Sequence, residues 1–555
     1  MRSGSHGNAD ARVTPDRHER ARSVRDTVAR NTAFNAVGRL WDAASGMVLT
    51  AYILDRVGMA AWGLWAFIQV FTGYVSLFDF GVGSGFTKYV AEHAARKEED
   101  ELSAVVSTGL FFYMVFGLVL VAVGWPCVDG LVALLTRLGP ERARDFGDPQ
   151  FTGDVRFLLR WGLVLFAVSN CVSAFTAVQT GLQRMGVTNI LSFGASVLRI
   201  VATVAFLEAG AGVRGLLYVN AVVLVAFGGA SVLIAFRLRP SLRVSPSCFT
   251  RPALARLFSF GWRAQIAKLS NLIMFQTDKV VVAFVYKYLG MVGLYDLGVN
   301  LANKMRQAPL LIVSALVPAA SDLDARAEHE RLERLYLRST KYVASVTLPL
   351  VAFSVGAAGP LMRAWMGEKG HLDVATWVLR IIAFGYLANI LPGAGVSIVL
   401  GKGRADMQMK AGLIATISNV VLTVLLVYTV GFYGIPVATA ISMFLSCAWF
   451  FTAVRPVLGI GTGRLLRTCA LWPALASAPG FLICVLGDWY THDATQRMPN
   501  LLMVTGSLAV FSALYLGLIR VMPFLDETDL TFLDETLGAR RIPGLSRLVR
   551  RAHRA

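Results

Sequence analysis

About fourteen stretches of roughly twenty mostly apolar residues recur along the chain, from 31–55 and 60–83 at the start to 465–487 and 499–521 at the end. Hydrocarbon offers the backbone no hydrogen-bond partner, so a segment that crosses it alone must be a helix. The expectation is an all-α integral membrane protein with about fourteen transmembrane helices. Composition agrees: 55% of residues are apolar and 16% charged, against roughly 25% charged in a soluble domain. The first thirty residues are polar and Arg-rich with no apolar centre, which excludes a cleaved signal peptide as their reading. Six scattered cysteines without a C-x-x-C spacing suggest neither a disulfide framework nor a metal site.

A net charge of +18 raises the question of nucleic acid. The placement of the charges answers it. With the N-terminus inside, about 34 Lys and Arg fall in loops on that side and about 9 on the other, as the positive-inside rule requires. Both termini are expected in the cytoplasm, and the basic balance reads as topology rather than nucleic-acid binding.

The remaining basic residues lie within the spans or at their rims. Each ionised group at the bilayer centre costs about 2.5–3.5 kcal/mol on insertion scales, so such groups face a bundle interior or a wet cavity. In the stretch FSFGWRAQIAKLSNLIMFQTDKVVVAFVYKYLG, Arg263, Asn271 and Asp278 share one side at helical spacing, continued by Lys268 and Lys279. In the first span Asn31, Asn35, Arg39, Asp42 and Gly46 form a stripe, with Arg39 and Asp42 as an i,i+3 pair. Gln69, Thr72, Ser76 and Asp79 align in the second; Asn189, Ser192, Ser196 and Arg199 in the fifth; Asp296, Asn300, Asn303 and Lys304 in the eighth. Polar stripes on several helices imply a shared aqueous interior. Arg39, Arg199, Arg263, Lys268 and Lys304 are its candidate cations, and Asp42, Asp79, Asn271, Asp278, Asp296 and Asn300 its candidate polar or ion-coupling groups. Arg156, Arg160, Lys279, Arg306 and Arg380 have a simpler reading, snorkelling to the headgroups. The Asn and Ser residues also have one, as glue between helices.

The chain also repeats itself. TGLQRMGVTN and the span after it match VLGKGRADMQ and its following span at a constant offset, with Gly212 over Gly431 and Gly215 over Gly434. Both copies start from the same side, so the repeat is parallel. The expected organisation is a cytoplasmic tail (1–30), a first lobe (31–236), a cytoplasmic linker (237–256), a second lobe (257–455), two extra helices (464–522) and a basic cytoplasmic tail (523–555).

FGWRAQIAKLSNLIMFQTDKVVV, then LGMVGLYDLGVNLANKM and a helix closed by Pro318, resembles polysaccharide-export proteins of the MATE-like MOP superfamily. That group includes Wzx-type O-antigen flippases, teichuronic and capsule exporters and the lipid II flippase. LFDFGVGSGFTKYVAEHAARKE is similar to the loop after the family's second span, and RLWDAA to the Arg–Asp pair of the lipid II flippase. The resemblance covers about residues 31–522. It implies two pseudo-symmetric six-helix lobes in a V, with two extra C-terminal helices, in the bacterial inner membrane. It also implies alternating access to a polyprenyl-diphosphate-linked oligosaccharide, the repeat unit of an O-antigen, capsule or exopolysaccharide. Polysaccharide polymerase or export machinery would be partners. Arg offers a diphosphate a bidentate fork and Lys a point charge. Carrying two negative charges outward across 150 mV would release about 7 kcal/mol. A coupling H+ or Na+ would sit at Asp79, Asp278 or Asp296.

Nothing catalytic competes. There is no Walker-type phosphate loop, no H-E-x-x-H, and GVGSG follows a spanning helix rather than a strand. The chain is read as no enzyme, with no cofactor beyond a coupling ion. Two other readings stay open: a cation-coupled MATE-type exporter of small molecules, which a basic cavity disfavours, and a membrane assembly subunit without transport.

Overall fold

The computed structural model describes residues 15–79, 81–137, 148–182, 184–286, 288–313, 316–367, 372–492, 494, 496–524 and 529. Helices and their connecting turns make up the described residues. In the first half they are α1 (Pro15–Val75), α2 (Val82–Arg96), α3 (Glu99–Arg137), α4 (Pro149–Gly181) and α5 (Met185–Glu208). The half closes with α6 (Gly212–Val223), which runs through a wide turn at Leu224–Gly228 into α7 (Gly229–Leu238). The second half begins with α8 (Arg251–Val285), α9 (Gly290–Val313), α10 (Leu316–Ala325), α11 (His329–Gly356) and α12 (Ala358–Met366). It continues with α13 (Leu372–Ile390), α14 (Gly393–Gly401), α15 (Ala405–Thr429) and α16 (Gly434–Leu458). After α17 (Thr462–Leu465) come α18 (Leu471–Tyr490) and α19 (Arg497–Val521).

Among the described residues, ten helices are long and apolar enough to cross a membrane, or eleven if α11 and α12, bent by 70° at their junction, make one span. The chain is a multi-pass membrane protein. The count falls below fourteen because the expected spans 31–55 and 60–83 are one helix, because 337–358 counts only within the bent pair, and because α8 and α9, broken up by charges such as Asp278, Lys279, Asp296, Lys304 and Arg306, are not among them. Lipid takes the place of a soluble protein's interior: Val225 and Tyr428 are 77% and 83% exposed.

Several boundaries differ from the sequence pattern. The tail expected over 1–30 is helical from Pro15, where a proline's fixed φ suits a first turn. The first two spans form one element kinked at Gly58, whose φ of 81° and ψ of 170° only glycine adopts readily. The second span breaks at the 3-10 turn Ser76–Asp79 and resumes as α2. The stretch LFDFGVGSGFTKYVAEHAARKE, similar to the family's loop after its second span, is helix from Val82 to Arg96. Within 523–555, Asp529 is buried, paired with Lys341, and accepts from the Tyr342 hydroxyl at 2.7 Å.

The linker 237–256 is pinned along α3. Arg239 donates to Glu99 at 2.9 Å, and the Thr250 backbone N–H donates to Thr108 Oγ1 at 3.0 Å. Thr250 then caps α8, accepting from the Ala253 N–H, with Pro252 in the first turn. That cap fixes where the charged helix starts. From there α8 runs against the end of α1 and against α2, while α9 packs on α1.

Candidate functional site

The junction between the sequence halves is built on backbone contact. A Cβ on Gly63 would lie 1.9 Å from the Leu289 carbonyl oxygen, and one on Gly81 would lie 2.0 Å from that of Gly261. No side chain fits in either place, so α1 meets the start of α9, and the start of α2 meets α8, with nothing between them. Three contacts continue the line down α8. Gln265 Nε2 donates to the Leu77 carbonyl at 2.5 Å, Leu272 approaches Gly73, and Tyr74 shares a 2.7 Å hydrogen bond with Thr277. The turn of α8 that carries Arg263 and Lys268 therefore lies beside the break in the second span.

Lys304 reaches the same junction from α9. A methyl on Gly46 would meet its Nζ at 3.1 Å, so the ammonium lies over the first helix at a member of the Asn31–Asn35–Arg39–Asp42–Gly46 stripe. The side chains of Arg39, Asp42, Asp79, Arg263 and Lys268 lie outside the described residues. Arg199 is exposed and donates to Asn220 Oδ1 at 2.9 Å, a partner within its own half. Asn271 is exposed and Asn300 half-buried.

Asp278 and Asp296 are both buried, with different partners. Asp296 pairs with Lys279 at 2.5 Å. Lys279 thus faces a carboxylate in the helix bundle instead of snorkelling, because the next helix offers it a countercharge. Asp278 accepts at Oδ2 from the Tyr295 hydroxyl at 2.5 Å and from Thr439 at 2.6 Å. Thr439 in turn accepts from Asn419 Nδ2 at 2.8 Å. Asp278 Oδ1, Asn419 Oδ1 and Thr423 Oγ1 are buried with no hydrogen-bond partner among the described residues. Four helices (α8, α9, α15 and α16) thus converge on one carboxylate and leave buried oxygens uncommitted, a set able to hold a proton or a small hard cation. Asp278 was legible in the sequence. Its partners were not singled out, although Thr416, Asn419 and Thr423 lie at i, i+3 and i+7 in an otherwise apolar helix.

Arg380 does not snorkel either. It pairs with Asp488, which also binds Arg363 at 2.9 Å. Arg156 and Arg160 both pair with Asp129, at 3.2 and 2.6 Å.

A model of the family described as polysaccharide biosynthesis protein matches residues 28–324, just over half the chain. The chain belongs to that family. A second family model, described as lipid II flippase MurJ, matches residues 307–502 of this chain. The probable flippase AglR of Haloferax volcanii is 23% identical over 430 residues, 75% of this chain and 81% of that one. Among solved structures, the lipid II flippase MurJ in an inward closed conformation superposes with a TM-score of 0.63 at 13% identity, covering 89% of this chain and 99% of that one. An inward-facing multidrug resistance MATE transporter of the MOP superfamily gives 0.60 at 18% identity, over 79% and 96%. At those identities the likeness is one of fold.

Proposed function

We propose that this protein flips a polyprenyl-diphosphate-linked oligosaccharide from the cytoplasmic to the outer leaflet. In this reading fourteen spans form two six-helix lobes, 31–236 and 257–455, plus two further helices, and both termini are cytoplasmic. The lobes rock about the junction between α1–α2 and α8–α9. The observation that carries the reading is Lys304, which brings a cation from the second half onto the polar stripe of the first helix. Arg39, Arg263 and Lys268 complete the cluster, and the diphosphate is its anion. A shared anion stabilises whichever state brings these cations together, which couples binding to rocking. Family membership and the flippase named among the relatives support the substrate class. A MATE-type exporter of small cations is disfavoured by a lysine at the junction, since like charges repel.

Asp278 is the proposed coupling site for H+ or Na+, supported by the uncommitted buried oxygens around it.

The test is complementation of a strain lacking this gene, read as surface glycan and as accumulated lipid-linked precursor, with membrane levels of each variant measured alongside. Lys304→Ala, Arg263→Ala and Lys268→Ala should insert normally and lower export roughly tenfold or more, the size of one lost charge-assisted hydrogen bond. Arg263→Lys should keep part of the activity, because charge survives and the fork does not. Asp278→Asn should remove the response of export to a proton or sodium gradient. Full-rate export by the well-inserted cation variants would overturn the reading.

A further inference from the structure

Asp488 holds two arginines and can neutralise one. Arg363 is engaged within the protein: besides Asp488 it donates to Asn500 Oδ1 at 3.0 Å and to Thr491 Oγ1 at 3.3 Å. Arg380 bonds Asp488 through Nη2 alone, and its guanidinium carbon lies 4.8 Å from the Trp377 ring centre. Its Nε and Nη1 have no hydrogen-bond partner among the described residues, and neither is shielded. Guanidiniums stay protonated, so the group carries one positive charge in excess.

That charge faces the bilayer. Trp377, Arg380 and Phe384 lie at i, i+3 and i+7 on α13, and the two aromatic residues are 49% and 52% exposed. The elements that α13 packs against, α9, α11, α12 and α16, all belong to the second half, so this stripe looks away from the junction. Phe384 meets Phe444 of α16 with ring centres 5.3 Å apart, and Phe444 is exposed as well. The level is that of the headgroups. Trp489 and Tyr490, which follow Asp488 at the end of α18, are exposed, as aromatic residues are at a membrane–water interface. The start of α13 lies beside the start of α9, where a Cβ on Gly298 would stand 2.6 Å from the Ala375 carbonyl oxygen, and hence at the end of the bundle opposite the linker. The next carboxylate on the stripe, Asp373, is seven residues from Arg380, about 10 Å along the axis.

We propose that Arg380 and Trp377 form a site for one acidic phospholipid, of the phosphatidylglycerol kind, in the leaflet opposite the linker. Asp488 holds the guanidinium still, and the lipid's phosphodiester accepts from its open edge. A phosphodiester carries one negative charge, which matches the excess, and its hydrogen bonds to a guanidinium are charge-assisted. A zwitterionic lipid brings its own cation and leaves the excess in place. An acyl chain lies over Phe384 and Phe444, contact that a free phosphate ion does not make. The bound lipid completes the charge around Asp488 and ties α13 to α18, so that the last two helices are held partly by the bilayer.

The full-length protein is reconstituted into phosphatidylcholine nanodiscs with a trace of phosphatidylglycerol carrying a diazirine beside its headgroup. After illumination, adducts are mapped by mass spectrometry. They should fall on α13 within 372–384, and excess unlabelled phosphatidylglycerol should lower them roughly tenfold while inorganic phosphate does not. Arg380→Gln should lower labelling there by a similar factor, as the loss of a charge-assisted hydrogen bond implies, and leave adducts elsewhere unchanged. No adduct on this segment, or equal labelling of Arg380→Gln and wild type, overturns the site. Equal labelling by a phosphatidylcholine probe overturns the acidic preference, and competition by inorganic phosphate as strong as by the lipid assigns the site to a free anion instead. Should Arg380→Gln fail to fold, Trp377→Leu decides, since it leaves the pair with Asp488 in place: labelling lowered several-fold supports the site, and unchanged labelling overturns it.

Discussion

Lys279 and Asp296 lie 2.5 Å apart with only 11% and 9% of their side chains exposed. Two such charges are costly to bury, and their mutual attraction repays the cost only while both are present. Lys279→Ala therefore strands Asp296 and should destabilise the protein by about 3–5 kcal/mol, while Lys279→Ala with Asp296→Ala should recover much of it. Thermal unfolding of the three variants checks this. A double variant as unstable as the single one would mean that Lys279 holds something other than Asp296. The neighbouring residue, Asp278, is set apart by one helical step. It turns to α15 and α16, finds hydroxyls in place of a cation, and keeps an oxygen free. Adjacent carboxylate and ammonium on α8 thus take separate roles, one able to bind an ion and the other neutralised.

At the scale of elements, the two halves meet through α1 with α9 and α2 with α8, where glycines let backbones touch. Gly63→Ala would push a methyl into the Leu289 carbonyl, an atom with no flexible end to give way. The helices must part, at a cost of about 1–3 kcal/mol typical of overpacking. On the proposed rocking mechanism the variant should insert normally and show reduced export, and limited proteolysis should cut it faster than wild type near 286–290. Unchanged export and proteolysis would show that this approach is not needed. The α8 helix combines a capped start pinned to α3, a middle against the second span, and an end that contributes Asp278 and Lys279 to the second half. It is too charged to count as a lipid-facing span because so much of it faces other helices.

For the whole molecule, the last two helices are fastened to the second half by charge. Asp488 on α18 binds Arg363 on α12 and Arg380 on α13, and Arg363 also donates to Asn500 on α19 at 3.0 Å. Asp488→Ala leaves two guanidiniums facing each other without their countercharge and should cost about 3–5 kcal/mol. Loss of α18–α19 docking would appear as new protease cleavage between 490 and 497, and a wild-type pattern would count against the fastening. Orientation is tested separately. With the other cysteines removed, a membrane-impermeant thiol reagent on intact cells should label Cys127 and spare Cys248, neither of which is buried. The opposite labelling would reverse the proposed topology.

The sequence by itself determined that this chain is helical and membrane-embedded, which helix faces are polar, and to which family its motifs belong. Length, hydropathy and a period of 3.6 residues are local properties, readable without neighbours. Its pattern also placed Asp278, Asp296 and Lys304 on faces turned away from lipid. Tertiary structure alone decided what those faces meet. Lys279 and Arg380 looked able to reach the headgroups, and each instead found a carboxylate, Asp296 on the following helix and Asp488 on α18. Tyr295, Asn419 and Thr439 come to Asp278 from three other helices, up to 161 residues away along the chain. No local period encodes such partners, because they depend on how helices pack, and packing is fixed by glycine contacts and countercharges distributed over the whole chain.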